Sequence, residues 1–216
     1  MKIVTCDQGS PEWHAARAGV ITASMFKTAR NLSLKSGPNK RSPSGECLNY
    51  AFRLAIERIS GVPLDEGFET WQMRRGHELE PDARREHEEL SGVLVQRAGF
   101  VTTDDGIFGG SADGLIGDDG GSEYKCLVSP EGMRKVLIDG DISEFIDQIQ
   151  GCMWVTGRQW WHFALYCPAL KPIGQQLWMR EVKRDEAYIR DMVSDLMTFR
   201  GIVDAYELEL SLRKAA

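Results

Sequence analysis

Two rhythms of apolar positions run along the chain. From Glu46 to Ile59, the residues Leu48, Ala51, Phe52, Ala55, Ile56 and Ile59 return every three or four positions, which predicts an amphipathic helix stopped by Gly61-Val62-Pro63. From Arg184 onward, Ile189, Met192, Leu196, Phe199, Val203 and Tyr206 do the same over a longer span. A charge-rich helix is expected over Glu69 to Leu90, with a bend at Pro81. Two more are expected from Ser129-Pro130 to Ile138 and from Ser143 to Thr156; the second has Phe145, Ile149, Met153 and Thr156 on one side and Gln148 next to them. Ser10-Pro11-Glu12 opens a short helix, with proline at its first position and an acid at the positive end of the dipole. Gly19 ends it, and Thr22-Ala23-Ser24 begins another, capped by Thr22 or Ser24. The second rhythm is alternation. Trp160 to Tyr166 and Gln175 to Val182 read as a hairpin around Pro168 and Pro172, with short strands at Val93 to Val95, Phe100 to Thr103 and Ile107-Phe108. Together these predict one α/β domain over residues 1–216, a central mixed sheet flanked by helices, with no internal repeat.

The stretch from Gly109 to Cys126 carries the most concentrated chemistry. It reads as a strand bearing Asp113, an acidic glycine turn, and a strand bearing Glu123 and Lys125. Residues two apart share a face of a strand, so Glu123 and Lys125 lie on one side and Tyr124 on the other. If the strands pair around a five-residue loop, Gly117 to Gly121, opposed positions sum to an even number and Asp113 joins that face. Two carboxylates suit a hard divalent cation such as Mg²⁺, which keeps several waters and binds phosphates. Such an ion polarises a phosphodiester and supplies a nucleophilic water, which a neighbouring lysine can position or deprotonate. The plain alternative is an exposed Glu–Lys pair contributing ~0–1 kcal/mol.

Charge adds to this picture only through its distribution. The net charge is −6, yet residues 13–45 hold Arg17, Lys27, Arg30, Lys35, Lys40 and Arg41 without one acid. Residues 104–147 hold eleven acids against Lys125, Arg134 and Lys135. A basic lobe facing an acidic centre suits a protein that grips phosphates and loads metal. Arg17 and Ser24 fall near two helix ends, where a guanidinium and backbone N–H groups can cradle an anion; a surface arginine and a plain N-cap are the alternatives. Residues 31–45 have the composition of a cationic loop able to order on a polyanion. On the charge-rich helix, His77, Glu80 and Arg84 can share a face, with a surface Glu80–Arg84 pair as the alternative. The five cysteines are scattered, odd in number and never in a C-x-x-C pair, which argues for reduced thiols in the cytosol and against a zinc or iron–sulfur site. No run of about 18 apolar residues and no signal-like start is present.

The order EWHAARAGVITAS, RRGHELEPDAR, GGSADGLI, SEYKC and FIDQIQGCMWVTG resembles the phage λ exonuclease family of YqaJ-type viral recombinases, within the PD-(D/E)xK nucleases. The resemblance runs from about Gly9 to Val182 and implies a restriction-endonuclease-like core. It implies that Asp113 and Glu123 are metal ligands, with Glu80 on its helix beside them and the backbone carbonyl of Tyr124 as a further ligand. It implies that Lys125 orients or activates water, that Gln148 supports the site from behind, and that Arg17 and Ser24 bind a 5′-terminal phosphate. The 31–45 loop departs from the family in length and composition; Lys35 within it is a candidate DNA contact. The implied activity is digestion of the 5′-ended strand of linear duplex DNA to mononucleotides, leaving 3′ tails, with Mg²⁺ (two ions, replaceable by Mn²⁺). The implied partners are DNA ends, two further copies in a trimeric ring, and a single-strand annealing protein, in a bacterial cytoplasm with a phage or prophage origin. A non-catalytic DNA-end binder and an endonuclease on the same core are the alternatives.

Overall fold

The structure is a computed structural model and describes residues 1–32, 42–64 and 70–213. Lys35 and most of the cationic loop lie outside the described residues. Nine strands form two mixed sheets. The first has the order β1 (Lys2–Val4), β4 (Phe100–Thr102), β5 (Phe108–Ser111), β2 (Ile21–Thr22). The second has the order β3 (Val95–Gln96), β6 (Gly114–Ile116), β7 (Gly120–Lys125), β8 (Trp160–Tyr166), β9 (Leu177–Lys183). Strand β7 runs antiparallel to β6 over Gly120–Ser122 and parallel to β8 over its whole length, so Glu123–Lys125 are paired on the β8 edge alone. The mixed α/β architecture expected from the sequence is present, with its strands divided between two ladders.

The helices begin where the sequence supplies a cap. Ser10, Ser44, Thr70 and Ser129 each accept the backbone N–H three residues on, starting α1 (Pro11–Arg17), α3 (Gly45–Ser60), α4 (Trp71–Ser91) and α5 (Pro130–Leu137). Left-handed Gly61 and Gly92 close α3 and α4. Helix α4 continues through Pro81. The chain ends its described part in α7 (Glu186–Arg213), whose Ile189, Met192, Leu196, Phe199 and Val203 are buried as their spacing predicts. With α6 (Ile146–Thr156) and α3 it encloses the main core, where Tyr50 stacks on Phe199 at 5.3 Å.

Three local expectations are corrected. Ile21-Thr22 is a strand parallel to β5, followed by a 3₁₀ turn at Ala23–Met25 and α2 (Phe26–Ala29); neither Thr22 nor Ser24 caps, and their hydroxyls instead face each other at 3.4 Å. The buried face of α3 is Cys47, Tyr50, Ala51, Leu54, Ala55 and Glu57, while Phe52 and Ile59 are exposed. That rotation follows from polar anchors: Tyr50 Oη accepts the Thr22 N–H at 3.1 Å, and Glu57 accepts the Gly19 N–H at 2.9 Å. The β6–β7 loop is Gly117 to Asp119, three residues rather than five, because Ile116 pairs with Gly120. The opposed sums stay even.

Candidate active site

Strand β7 places Glu123 and Lys125 on one face, as alternation requires, and Tyr124 on the other, packed with Ala83, Ala164 and Tyr166. Asp113 is not within a strand. It sits at the bend where the chain leaves β5 in the first sheet and enters β6 in the second. Its Oδ2 accepts the Tyr124 backbone N–H at 2.7 Å, which pins the bend against β7.

Lys125 Nζ donates to Glu123 Oε1 at 2.7 Å and to Gln148 Oε1 at 3.1 Å, and Gln148 Nε2 donates to Glu123 Oε1 at 2.5 Å. Gln148, on α6, thus ties acid and amine into one triangle. Glu123 is only 2% exposed, and its Oε2 is buried with no hydrogen-bond partner among the described residues. Glu80 and Arg84 project from α4. Arg84 Nη2 donates to Glu80 Oε1 at 2.5 Å and to the Asp113 carbonyl at 3.0 Å. The expected intrahelical pair therefore forms, but in the site rather than on the open surface.

The charges in this cluster are under tension. Burial, then the proximity of Glu80, pushes the Asp113 carboxyl up to about 6. Burial, then Asp113, pushes Glu123 up to about 7. Burial raises Glu80 as well, against the pull of Arg84. Burial alone would lower Lys125, but Glu123 and Asp113 outweigh it and hold the amine above its ordinary value. Glu123 and Asp113 thus favour the charged form of Lys125, which suits it to orient a water.

An orphaned carboxylate oxygen beside two further acids fits a missing cation, and an all-oxygen donor set suits Mg²⁺. Among the described residues, no three His, Cys, Asp or Glu side chains are gathered closely enough to enclose an ion unaided.

Asp113, Glu123, Lys125, Glu80 and Gln148 line one cleft of about 540 Å³ together with Arg17, Ser24 and Trp13. Ser24 is exposed. The Arg17 guanidinium lies 3.9 Å from the centre of the Trp13 ring, and Trp13 Nε1 donates to Ser111 Oγ at 2.7 Å. All the described candidates, Asp113, Glu123, Lys125, Glu80, Tyr124, Gln148, Arg17 and Ser24, border this space. His77 borders it too, and with Glu80 and Asp113 it also lines an adjoining cleft of about 450 Å³ that holds Arg84 and Arg97. Trp13 enters the site through the four-residue interval to Arg17 on α1. Arg75, whose guanidinium holds the Cys126 carbonyl at 3.0 Å, had no sequence signal. Lys27 and Arg30, counted in the basic lobe, are bound elsewhere, Lys27 to Glu144 and Arg30 to Asp147 and Asp195.

Comparison with known proteins follows this geometry. The alkaline exonuclease LHK-Exo of Laribacter hongkongensis is 29% identical, with 95% of this chain and 98% of that one aligned at a TM-score of 0.80. The same enzyme in complex with dAMP aligns at 0.82. A phage-related exonuclease from Haemophilus somnus 129PT shares the fold at a TM-score of 0.63 and 15% identity, over 90% of this chain and 96% of that one. No curated protein sequence matches. The model of the YqaJ-like viral recombinase domain matches residues 12–159, a span containing Arg17, Ser24, Glu80, Asp113, Glu123, Lys125 and Gln148, and the chain belongs to that family.

Proposed function

We propose that the protein is a Mg²⁺-dependent exonuclease that digests the 5′-ended strand of linear double-stranded DNA and leaves 3′ single-stranded tails. Family membership and the alkaline exonuclease neighbours support a nuclease. The single observation that carries the finer reading is the shared cleft: an acid–lysine–glutamine triangle with an unsatisfied carboxylate oxygen lines the same space as Arg17 and Ser24.

Asp113, Glu123 and Glu80, with the Tyr124 carbonyl, are the residues that would hold the metal, which when bound supplies charge neutralisation at a phosphate and a more acidic water. The protein's own groups do the rest. Arg17 and Ser24 seat a terminal 5′-phosphate, and no described side chain competes for the Arg17 guanidinium as an acceptor. Lys125, fixed by Glu123 and Gln148, donates to the attacking water and aligns it with the phosphorus. Each cut exposes a new 5′-phosphate, so the group recognised is regenerated. By the same reading the DNA end is the partner, with a trimeric ring and a single-strand annealing protein as further partners.

The test is linear duplex with 5′-phosphate or 5′-hydroxyl ends, labelled at each terminus in turn, incubated with protein and Mg²⁺. The expected result is early release of 5′-label as mononucleotide, retention of 3′-label on long strands, slower digestion of 5′-hydroxyl ends and intact closed circles. A DNA shift without shortening would indicate an end-binding protein, and cut circles an endonuclease.

A further inference from the structure

Helix α4 carries two opposite charges one turn apart: Glu80 borders both clefts, and Arg84 beside it lines the adjoining one. Glu80 is 22% exposed at its side chain and Arg84 12%. One atom of Arg84, Nη2, serves both Glu80 Oε1 and the Asp113 carbonyl, so the guanidinium ties α4 to the bend between the sheets. Its Nε is shut from solvent with no acceptor among the described residues. A guanidinium buried with an idle donor is poorly explained by packing, since burying a polar group without a partner is unfavourable.

The three acids are compensated differently. Glu123 has the ammonium of Lys125 at 2.7 Å, fixed further by Gln148. Asp113 has a backbone N–H. Glu80 has Arg84 in direct contact, a neighbour on its own helix, with His77 and Arg97 adding to the same pull. We propose that Arg84 is the resident counter-cation of this cleft: it holds Glu80 in place while no divalent ion is bound, and an incoming ion competes with it for that carboxylate. The proposal rests on the divalent-ion reading above. Its physical basis is direct. A fixed positive charge in contact with a carboxylate, largely out of water, repels a second cation approaching the same oxygens, and salt screens that repulsion weakly.

Arg84 would then be a positioning residue whose removal affects the ion-free and ion-bound states unequally. The experiment is Mn²⁺ titration by calorimetry without DNA, together with thermal melting in EDTA and in saturating Mn²⁺. Arg84→Gln is expected to bind Mn²⁺ at least threefold more tightly than the parent, to melt lower in EDTA, and to recover more on adding Mn²⁺ than the parent gains. Arg84→Lys, which keeps the charge, should bind within twofold of the parent. Arg85→Gln, which removes an exposed pair with Asp82 on the same helix, should match the parent in both measurements. Arg84→Met keeps the buried stem and carries the test if Arg84→Gln does not fold. Unchanged or weaker Mn²⁺ binding by the charge-removing variants, or an equal loss of melting temperature with and without the ion, would overturn the proposal alone. A parent protein that takes up no Mn²⁺ would overturn the divalent-ion reading and this proposal with it.

Discussion

Glu123 and Lys125 share one strand face with a glutamine from another element bridging them, and that triangle sets what each side chain can contribute. Lys125 reaches two acceptors, so it is held in place and kept charged. Lys125→Ala is expected to lower digestion by about 10²–10⁴-fold, the usual contribution of a positioned proton-transfer or water-orienting group. DNA binding should survive, because no hydrogen bond joins Lys125 to Arg17 or Ser24, the residues proposed to seat the phosphate. Single-turnover digestion beside a mobility-shift titration checks both halves; a wild-type rate for Lys125→Ala would remove the lysine from the chemistry. Shortening the loop by two residues keeps the opposed sums even, but Asp113 lies outside the strand, and the bend between the sheets rather than strand parity brings it to the cleft.

Among the elements, the corner between α1 and β2 brings Arg17 and Ser24 to the cleft. It turns at Gly19, which adopts a φ of +70° and whose N–H is held by buried Glu57. A Cβ there would meet Arg58 Cγ at 2.6 Å and the Arg58 backbone nitrogen at 3.3 Å. Gly19→Ala is expected to cost at least about 1–2 kcal/mol from the left-handed backbone alone. Gly45→Ala, at the start of α3 with nothing within 4 Å of the new methyl, should be neutral or slightly stabilising. Urea unfolding of the two variants separates them; equal midpoints would show that the corner is not conformationally demanding. The long elements α3, α4, α6 and α7 were legible because their periodicity persists over several turns. β1 and β2 were not, since three and two residues carry no rhythm of their own and exist only through pairing with β4 and β5.

For the molecule as a whole, α4 is locked to the second sheet by a buried polar chain. His87, fully buried, meets Tyr124 Oη on β7 at 2.8 Å and His162 Nδ1 on β8 at 2.8 Å. Burial, then His162, lowers His87 from 6.5 to about 4, with Glu88 opposing; Glu181 and Lys183 on β9 act on His162. Between pH 6.5 and 4 the unfolded chain holds a proton that folded His87 refuses, so this group's contribution falls as pH is lowered through that window, by roughly 3 kcal/mol in total. Asp113 and Glu123, raised on folding, act with the opposite sign over an overlapping range. The difference between parent and His87→Gln therefore isolates the histidine. Denaturant unfolding from pH 7 to pH 4.5 should show the parent losing its advantage over His87→Gln, and a constant difference would contradict the burial argument. Of the basic stretch at residues 13–45, Lys35, Lys40 and Arg41 lie outside the described residues. Lys27 and Arg30 pair with acids brought in from residues 144, 147 and 195. Among the described residues, no helix is long and apolar enough to cross a membrane.

What the residues determine by themselves is local: helix starts at Ser10 and Ser129, stops at Gly19 and Gly61, and the common face of Glu123 and Lys125. Each follows from backbone geometry and a short-range side-chain bond, quantities that do not depend on distant parts of the chain. The folded structure alone decided which charges lose their water and what replaces it. Glu80 was left open between a surface ion pair and a site residue, and Arg84 answered by bonding to the Asp113 carbonyl 29 residues away. Glu123 was legible as an acid in a strand, but the depth that strips water from its Oε2 comes from α6 and the neighbouring strands closing over it. Desolvation is a property of enclosure, and enclosure is made by elements far apart in sequence.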